Sequence, residues 1–221
     1  MRILVAIESC WAHTSRHAAQ EETWLKDLTV DYRFFVGCLM KLAGSLPLNT
    51  TELAVDDSYH ALSMKTREIC RWVLDNDYDF VFKTDTDTLV SARNLLDSGF
   101  EKHYYYGGEN EDDMPASLLG VFPNMRIQFA SGGAGYWLNR RAAMLVAYGP
   151  TVTSPAEDVY VAAILKANDI TPVWSSGYRW RPGETVDKDM ISLHLSSALQ
   201  KPYEAEQMYK GYKKLKDREN V

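Results

Sequence analysis

Residues 78–90 read YDFVFKTDTDTLV, an apolar run with strand-like alternation that ends on two carboxylates, Asp85 and Asp87, with Thr86 between them. In an extended chain successive side chains point to opposite faces, so Asp85 and Asp87 share one side of the strand end. Carboxylates held that close repel unless a cation or a donor-rich ligand lies between them. The pair is therefore costly as pure structure and natural as a grip on a divalent ion and a sugar nucleotide. For so short a motif, a water-solvated Asp-Thr-Asp turn is the plain alternative.

Outward from this strand the pattern repeats. RILVAIE from Arg2, YRFFVG from Tyr32 and a short ELAV from Glu52 precede it, and HYYYG from His103 follows. Residues 16–27 and 59–76 have helical period; in the second stretch Leu62, Ile69, Trp72 and Val73 fall on one face, which predicts packing on the sheet. Strands alternating with helices predict an α/β fold, a mixed central sheet sandwiched by helices. After about residue 107 the rhythm changes. An acidic loop ENEDD runs from Glu109 to Asp113, a glycine turn SGGAG occupies 131–135, and helices are expected near 140–148 and from 155. ITPVW, the aromatic loop SSGYRWRPG, the strand ISLHL and a polar helix from about Pro202 complete the chain. The division expected is one domain over 1–199, in halves 1–107 and 108–199, followed by a C-terminal helix over 200–221.

Composition narrows the function classes. With 221 residues, 46% hydrophobic and 24% charged, the chain is the size and make-up of one globular domain. A net charge of −6 offers nucleic acid no long-range attraction. No run approaches the roughly 18–20 apolar residues of a membrane helix, and Met1 directly before the first strand reads as a natural start. Cys10, Cys38 and Cys70 cannot all pair within one chain, and each sits in or beside apolar sequence, which predicts free thiols in a reducing, cytoplasmic setting.

Five blocks carry a resemblance. RHAAQEETW at 16–24 resembles the RRxAIRxTW opening of the inverting β-1,3-glycosyltransferase family that includes β-1,3-galactosyltransferases, β-1,3-N-acetylglucosaminyltransferases and Fringe. DDSYHALSMKT resembles that family's DSYxNLTLKT, FKTDTDTLV its KTDDDxFV, ASGGAGYWLNR its CSGGGYVLSR and EDVYV its EDVYVG, all in the family's order. The resemblance implies a GT-A fold, with 1–107 as the nucleotide-sugar half and 108–199 as the acceptor half. It also implies transfer of a sugar from a UDP-sugar to a glycan, glycolipid or glycoprotein hydroxyl with inversion, forming a β-1,3 linkage.

Carried over by position, Asp85 would contact the nucleoside and Asp87 would ligate manganese, with magnesium as substitute. His194 of ISLHL would be the second protein ligand, a mixed set that suits an octahedral ion. Arg16 aligns with the family's first arginine and would reach the diphosphate, but its later isoleucine and arginine are Gln20 and Glu21 here. Lys83 and Lys65 could supply positive charge in their place. Ser131, Gly132 and Gly133 form a turn slim enough for a sugar to approach the backbone. Inverting transfer needs one base on the acceptor side. Ser154, Pro155 and Glu157 read as a capping box that occupies Glu157 and leaves Asp158 free as that base.

Trp174, Tyr178 and Trp180 offer flat rings to an acceptor sugar, and the acidic loop is a solvated segment or an acceptor gate. The C-terminal helix, with Lys201, Lys210, Lys213, Lys214, Lys216 and Arg218 against four acids, reads as a solvated face whose net of +2 is thin support for contact with an anionic membrane. Two rivals stand beside the transferase: an inactive descendant that only binds sugar nucleotide, and a haloacid-dehalogenase-like phosphatase. The phosphatase nucleophile motif DxDxT would need Thr where Leu89 stands.

Overall fold

The computed structural model describes residues 1–38, 48–110, 114–115, 125–200, 202–203 and 205–219. The first half runs β1 (Ile3–Glu8), α1 (Ser15–Glu21), β2 (Asp31–Gly37), β3 (Thr50–Leu53), α2 (Leu62–Asp75) and β4 (Phe80–Asp85). Then come β5 (Thr88–Val90), α3 (Ala92–Leu96), β6 (Tyr105–Gly107), β7 (Met114–Pro115), β8 (Arg126–Ile127) and β9 (Tyr136–Asn139). The chain continues with α4 (Arg140–Ala147), α5 (Glu157–Lys166), β10 (Val173–Trp174) and β11 (Tyr178–Arg179), and closes with β12 (Ser192–His194), α6 (Leu195–Leu199) and α7 (Ala205–Glu219).

Seven strands form one mixed sheet in the order β10-β6-β9-β4-β1-β2-β3. β1 lies parallel to both β2 and β4, while β9 runs antiparallel to β4 and β6. The near-continuous apolar runs of β1 and β4 are explained by burial on both faces. Leu4 and Ala6 face a core built with Ile69, Val73, Val146 and Val159 from the helices. Val5 and Ile7 face a second core with Trp24, Phe34, Phe82 and Trp137. Alternation along one strand thus feeds two layers, as the sequence predicts for an α/β sandwich.

Boundaries shift in two helices. The stretch expected at 16–27 is α1 followed by a single 3-10 turn at Trp24–Asp27, and α2 is preceded by a 3-10 turn at Tyr59–Ala61. Ile69 and Val73 are buried against the sheet as expected, with Trp72 packed beside them, but Leu62 lines a cleft instead. α7 is not a merely solvated helix. Its Met208 and Leu215 are buried in the second core, and Gly211 lets it approach the Leu89 side chain of β5 closely. Lys201 and Glu204 of that segment, and Glu111, Asp112 and Asp113 of the acidic loop, lie outside the described residues.

Strand order decides where a ligand can sit. From β1 the chain builds β2 and β3 on one side, then crosses back to place β4 on the other. A crevice opens beyond the carboxyl ends of strands where the order reverses in this way. Here those ends are Glu8 and Asp85, which face each other in the β1–β4 register. Among the described residues no helix is long and apolar enough to cross a membrane, and all three cysteines are free.

Candidate functional site

A cleft of about 670 Å³ occupies this switch point, lined by the ends of β1 and β4, the glycine turn at 131–133 and the start of α5. Asp85, Asp87 and His194 converge on its rim, with a ligand atom from each lying within 4.8 Å of the others. The third member arrives because β12 pairs antiparallel with β5, setting His194 opposite Thr88. Two carboxylates and one imidazole form a mixed oxygen and nitrogen donor set that fits a divalent ion. The fit extends to the space around it: a Cβ at Gly133 would run into the His194 ring, so glycine is required for the histidine to stand where it does.

The electrostatics of this group are arranged for charge. His194 Nε2 lies 3.2 Å from Asp87 Oδ1, and the Ser196 hydroxyl donates to Asp87 Oδ2 at 2.7 Å. Burial works to raise the Asp87 carboxyl, but these contacts and the nearby Arg16 win and hold it down at about 2. Burial is the largest influence on His194 and opposes its charge, but the hydrogen bond to Asp87 together with the charges of Asp87 and Asp85 outweighs it and raises the imidazole pKa. Ser197 Oγ, 2.8 Å from Nδ1, fixes the ring from behind.

The departure at Gln20 acquires a physical role. Its buried side chain donates to the backbone oxygens of Asp85 at 3.1 Å and Thr88 at 3.3 Å, clamping the turn that carries the acid pair. Glu21 accepts a hydrogen bond from Tyr32 at 3.2 Å and is not among the residues lining the cleft. Arg16 does line it, with 23% of its side chain exposed, 4.0 Å from Asp87 and 3.4 Å from the Thr86 hydroxyl. Ser131, Gly132 and Gly133 form the opposite wall.

Lys83 and Lys65 are placed differently from the expectation of charge free for a phosphate. Lys83, only 3% exposed, reaches Glu157 at 2.7 Å, Asp85 at 2.8 Å and Glu8 at 2.9 Å. Its ammonium has three donors and three carboxylate partners, so it is spent inside the protein. Burial alone would lower its pKa, but the surrounding carboxylates raise it well above the ordinary lysine value. Lys65 is likewise buried, donating to Asp57 at 2.9 Å and the Ser9 carbonyl at 2.6 Å.

The capping box is not formed as predicted. Ser154 Oγ accepts from the Ala156 N–H at 3.1 Å, and the Glu157 carboxylate turns inward to Lys83 and to the Tyr136 hydroxyl at 2.6 Å. The Ser154 N–H that the box would use already donates to the Ser63 hydroxyl at 2.9 Å, and a buried cation holds the carboxylate more strongly than a neutral donor would. Asp158 is half-buried on the cleft wall and is held through both carboxylate oxygens, accepting from the Gly132 N–H at 3.1 Å and from the Val159 N–H at 2.9 Å. Burial, reinforced by the Glu157 carboxylate, pushes its pKa up to about 7. That value suits a group that must take a proton near neutrality.

Of the three expected acceptor aromatics, only Trp180 lines the cleft; its indole N–H donates to the Glu109 carbonyl at 3.1 Å. Tyr178 is 3% exposed and packs edge-on against Tyr106, so no acceptor can reach its face. Trp174 packs on the first core, away from the cleft lining. Both belong to β-strands, whose alternation turns them inward.

Four polar groups of the site were not singled out from sequence: Glu8, Asp57 and the Ser196–Ser197 pair. Asp57 accepts from the Gly37 N–H and the Trp11 N–H, both at 2.6 Å, and thereby ties the end of β2 and the turn after β1 to the segment before α2. An Asp followed by Ser just before a helix signals a turn, and ISLHLSS offers hydroxyls next to the expected ligand, but neither signal names its partner. Compared with known proteins, the chain matches no family model and no curated sequence.

Proposed function

We propose that this chain is a metal-dependent inverting glycosyltransferase with a GT-A arrangement, moving a sugar from a UDP-sugar to a glycan hydroxyl with β-1,3 linkage. The observation that carries the reading is the convergence of Asp85, Asp87 and His194 on one rim of a cleft whose wall presents Asp158. The five ordered blocks of resemblance support it independently.

Asp87 and His194, with Asp85 beside them, would hold manganese or magnesium. A bound divalent ion supplies Lewis-acid stabilisation of a leaving diphosphate. Arg16 adds a guanidinium next to the same acids, favouring the anionic end of the donor. Asp158 takes the hydroxyl proton as the acceptor oxygen attacks the anomeric carbon; the Gly132 N–H orients the carboxylate for that task. Trp180 packs against the acceptor sugar. A cytoplasmic setting belongs to the same reading, supported by the three free cysteines.

The test is calorimetric titration of UDP, with GDP as control, with and without manganese, on wild type and Asp87→Ala. Manganese-dependent UDP binding lost in the variant is the expected result, followed by UDP release from one of a panel of UDP-sugars. Absence of nucleotide binding under every metal condition overturns the reading. Metal-dependent binding without any donor turnover favours the binding-only descendant.

A further inference from the structure

The cations of the cleft differ in how far the protein itself consumes them. Lys83 and Lys65 are buried against carboxylates at 2.7 to 2.9 Å, whereas Arg16 has one long hydrogen bond, to Thr86 at 3.4 Å, and stands 4.0 Å from Asp87. Among the described residues its guanidinium therefore keeps most of its N–H groups uncommitted, as a cation that reads an incoming anion must. Arginine carries many rotamers, so something has to hold that plane over the cleft.

The holder comes from the far end of the chain. The Tyr203 ring lies under the Arg16 guanidinium, 4.8 Å from centroid to Cζ. Tyr203 precedes α7, and the buried Gln207 of that helix donates to the Pro202 carbonyl at 3.1 Å, which ties the approach to the helix. α7 in turn rests on Leu89, two residues beyond Asp87. Among the described residues the buried Tyr203 hydroxyl has no hydrogen-bond partner, while its ring face meets Arg16.

We propose that Tyr203 is a positioning residue: its ring orients Arg16 to receive the diphosphate of the bound ligand, and the C-terminal segment thereby completes the anion subsite. The inference rests on the transferase reading only for the choice of UDP as one probe; inorganic pyrophosphate is the other.

The experiment is manganese-supplemented calorimetry of UDP, pyrophosphate and uridine on the full chain and on Tyr203→Phe, Tyr203→Leu and Arg16→Ala, with thermal midpoints as a check on folding. Tyr203→Leu keeps apolar bulk but removes the π face, and is expected to weaken both phosphate ligands about 2- to 30-fold, the range of a cation–π contact. Tyr203→Phe should bind like wild type, uridine should be unaffected throughout, and adding Tyr203→Leu to Arg16→Ala should cost nothing more. Wild-type affinity in Tyr203→Leu, or a loss in Tyr203→Phe equal to that in Tyr203→Leu, overturns the proposal. If wild type binds pyrophosphate but not UDP, the transferase reading fails while the pyrophosphate series still decides the role of Tyr203; if it binds neither, both fall.

Discussion

The Gln20 side chain closes the turn that carries Asp85: its amide donates to the Asp85 carbonyl at 3.1 Å from a helix 65 positions upstream, and reaches the Thr88 carbonyl as well. Gln20→Leu keeps the volume and removes the donor from one buried and one partly buried backbone carbonyl. Chemical denaturation should show a loss of about 1–3 kcal/mol, and manganese affinity should fall with it. Unchanged values of both would show that the clamp does not shape the acid pair.

The glycine turn and the serine behind the ring should govern metal affinity through His194. Gly133→Ala would push a methyl into the imidazole, and Ser197→Ala would release Nδ1. Ser197→Ala is expected to weaken manganese about 10- to 100-fold, the usual effect of losing a ligand's outer partner. Gly133→Ala should weaken it at least as much. Isothermal titration with manganese on folded protein checks both, and wild-type affinity in either variant would detach His194 from the metal.

Removing the shared cation should unbalance the floor of the cleft. Lys83→Met leaves Glu8 and Glu157 buried without the charge that joins them. Breaking a buried ion cluster from one side costs about 3–5 kcal/mol, to be read from urea unfolding. A loss under about 1 kcal/mol would mean that water or rearranged neighbours replace the lost cation.

Asp158 sets the expected pH dependence. The base must be ionised to accept a proton, and its pKa is raised to about 7, so kcat/KM should climb as pH rises toward 7 and level off above it. Glu157 contributes to that raised value, so Glu157→Gln should move the acidic limb to lower pH. Asp158→Asn should abolish transfer while sparing UDP binding. Normal turnover in Asp158→Asn, or a limb unmoved by Glu157→Gln, would reassign the base.

The separation between what could and could not be read from the sequence follows the range of the interactions. YDFVFK and RILVAIE declare buried strands because alternation and apolar runs are properties of a few neighbouring residues. Asp85 and Asp87 declare a shared face for the same reason, and ISLHL put His194 on a strand. The aromatic-rich stretch around Tyr178 suggests an acceptor platform, but the β11–β12 pairing places that ring in the interior.

By itself, then, the sequence determined the α/β alternation, the strand that ends in two carboxylates, and the slim turn at 131–133, all consequences of local backbone geometry. Only the tertiary structure decided which groups meet. Gln20, a departure from the family pattern, is a clamp; Glu157, placed for a helix cap, is a buried partner of Lys83; Tyr203, in a lysine-rich tail, stacks on Arg16. These pairings depend on sheet order and on the β1–β4 register that brings Glu8 opposite Asp85. In a low-dielectric interior each buried charge must find the nearest opposite charge the fold supplies, and that neighbour is set in space, not along the chain.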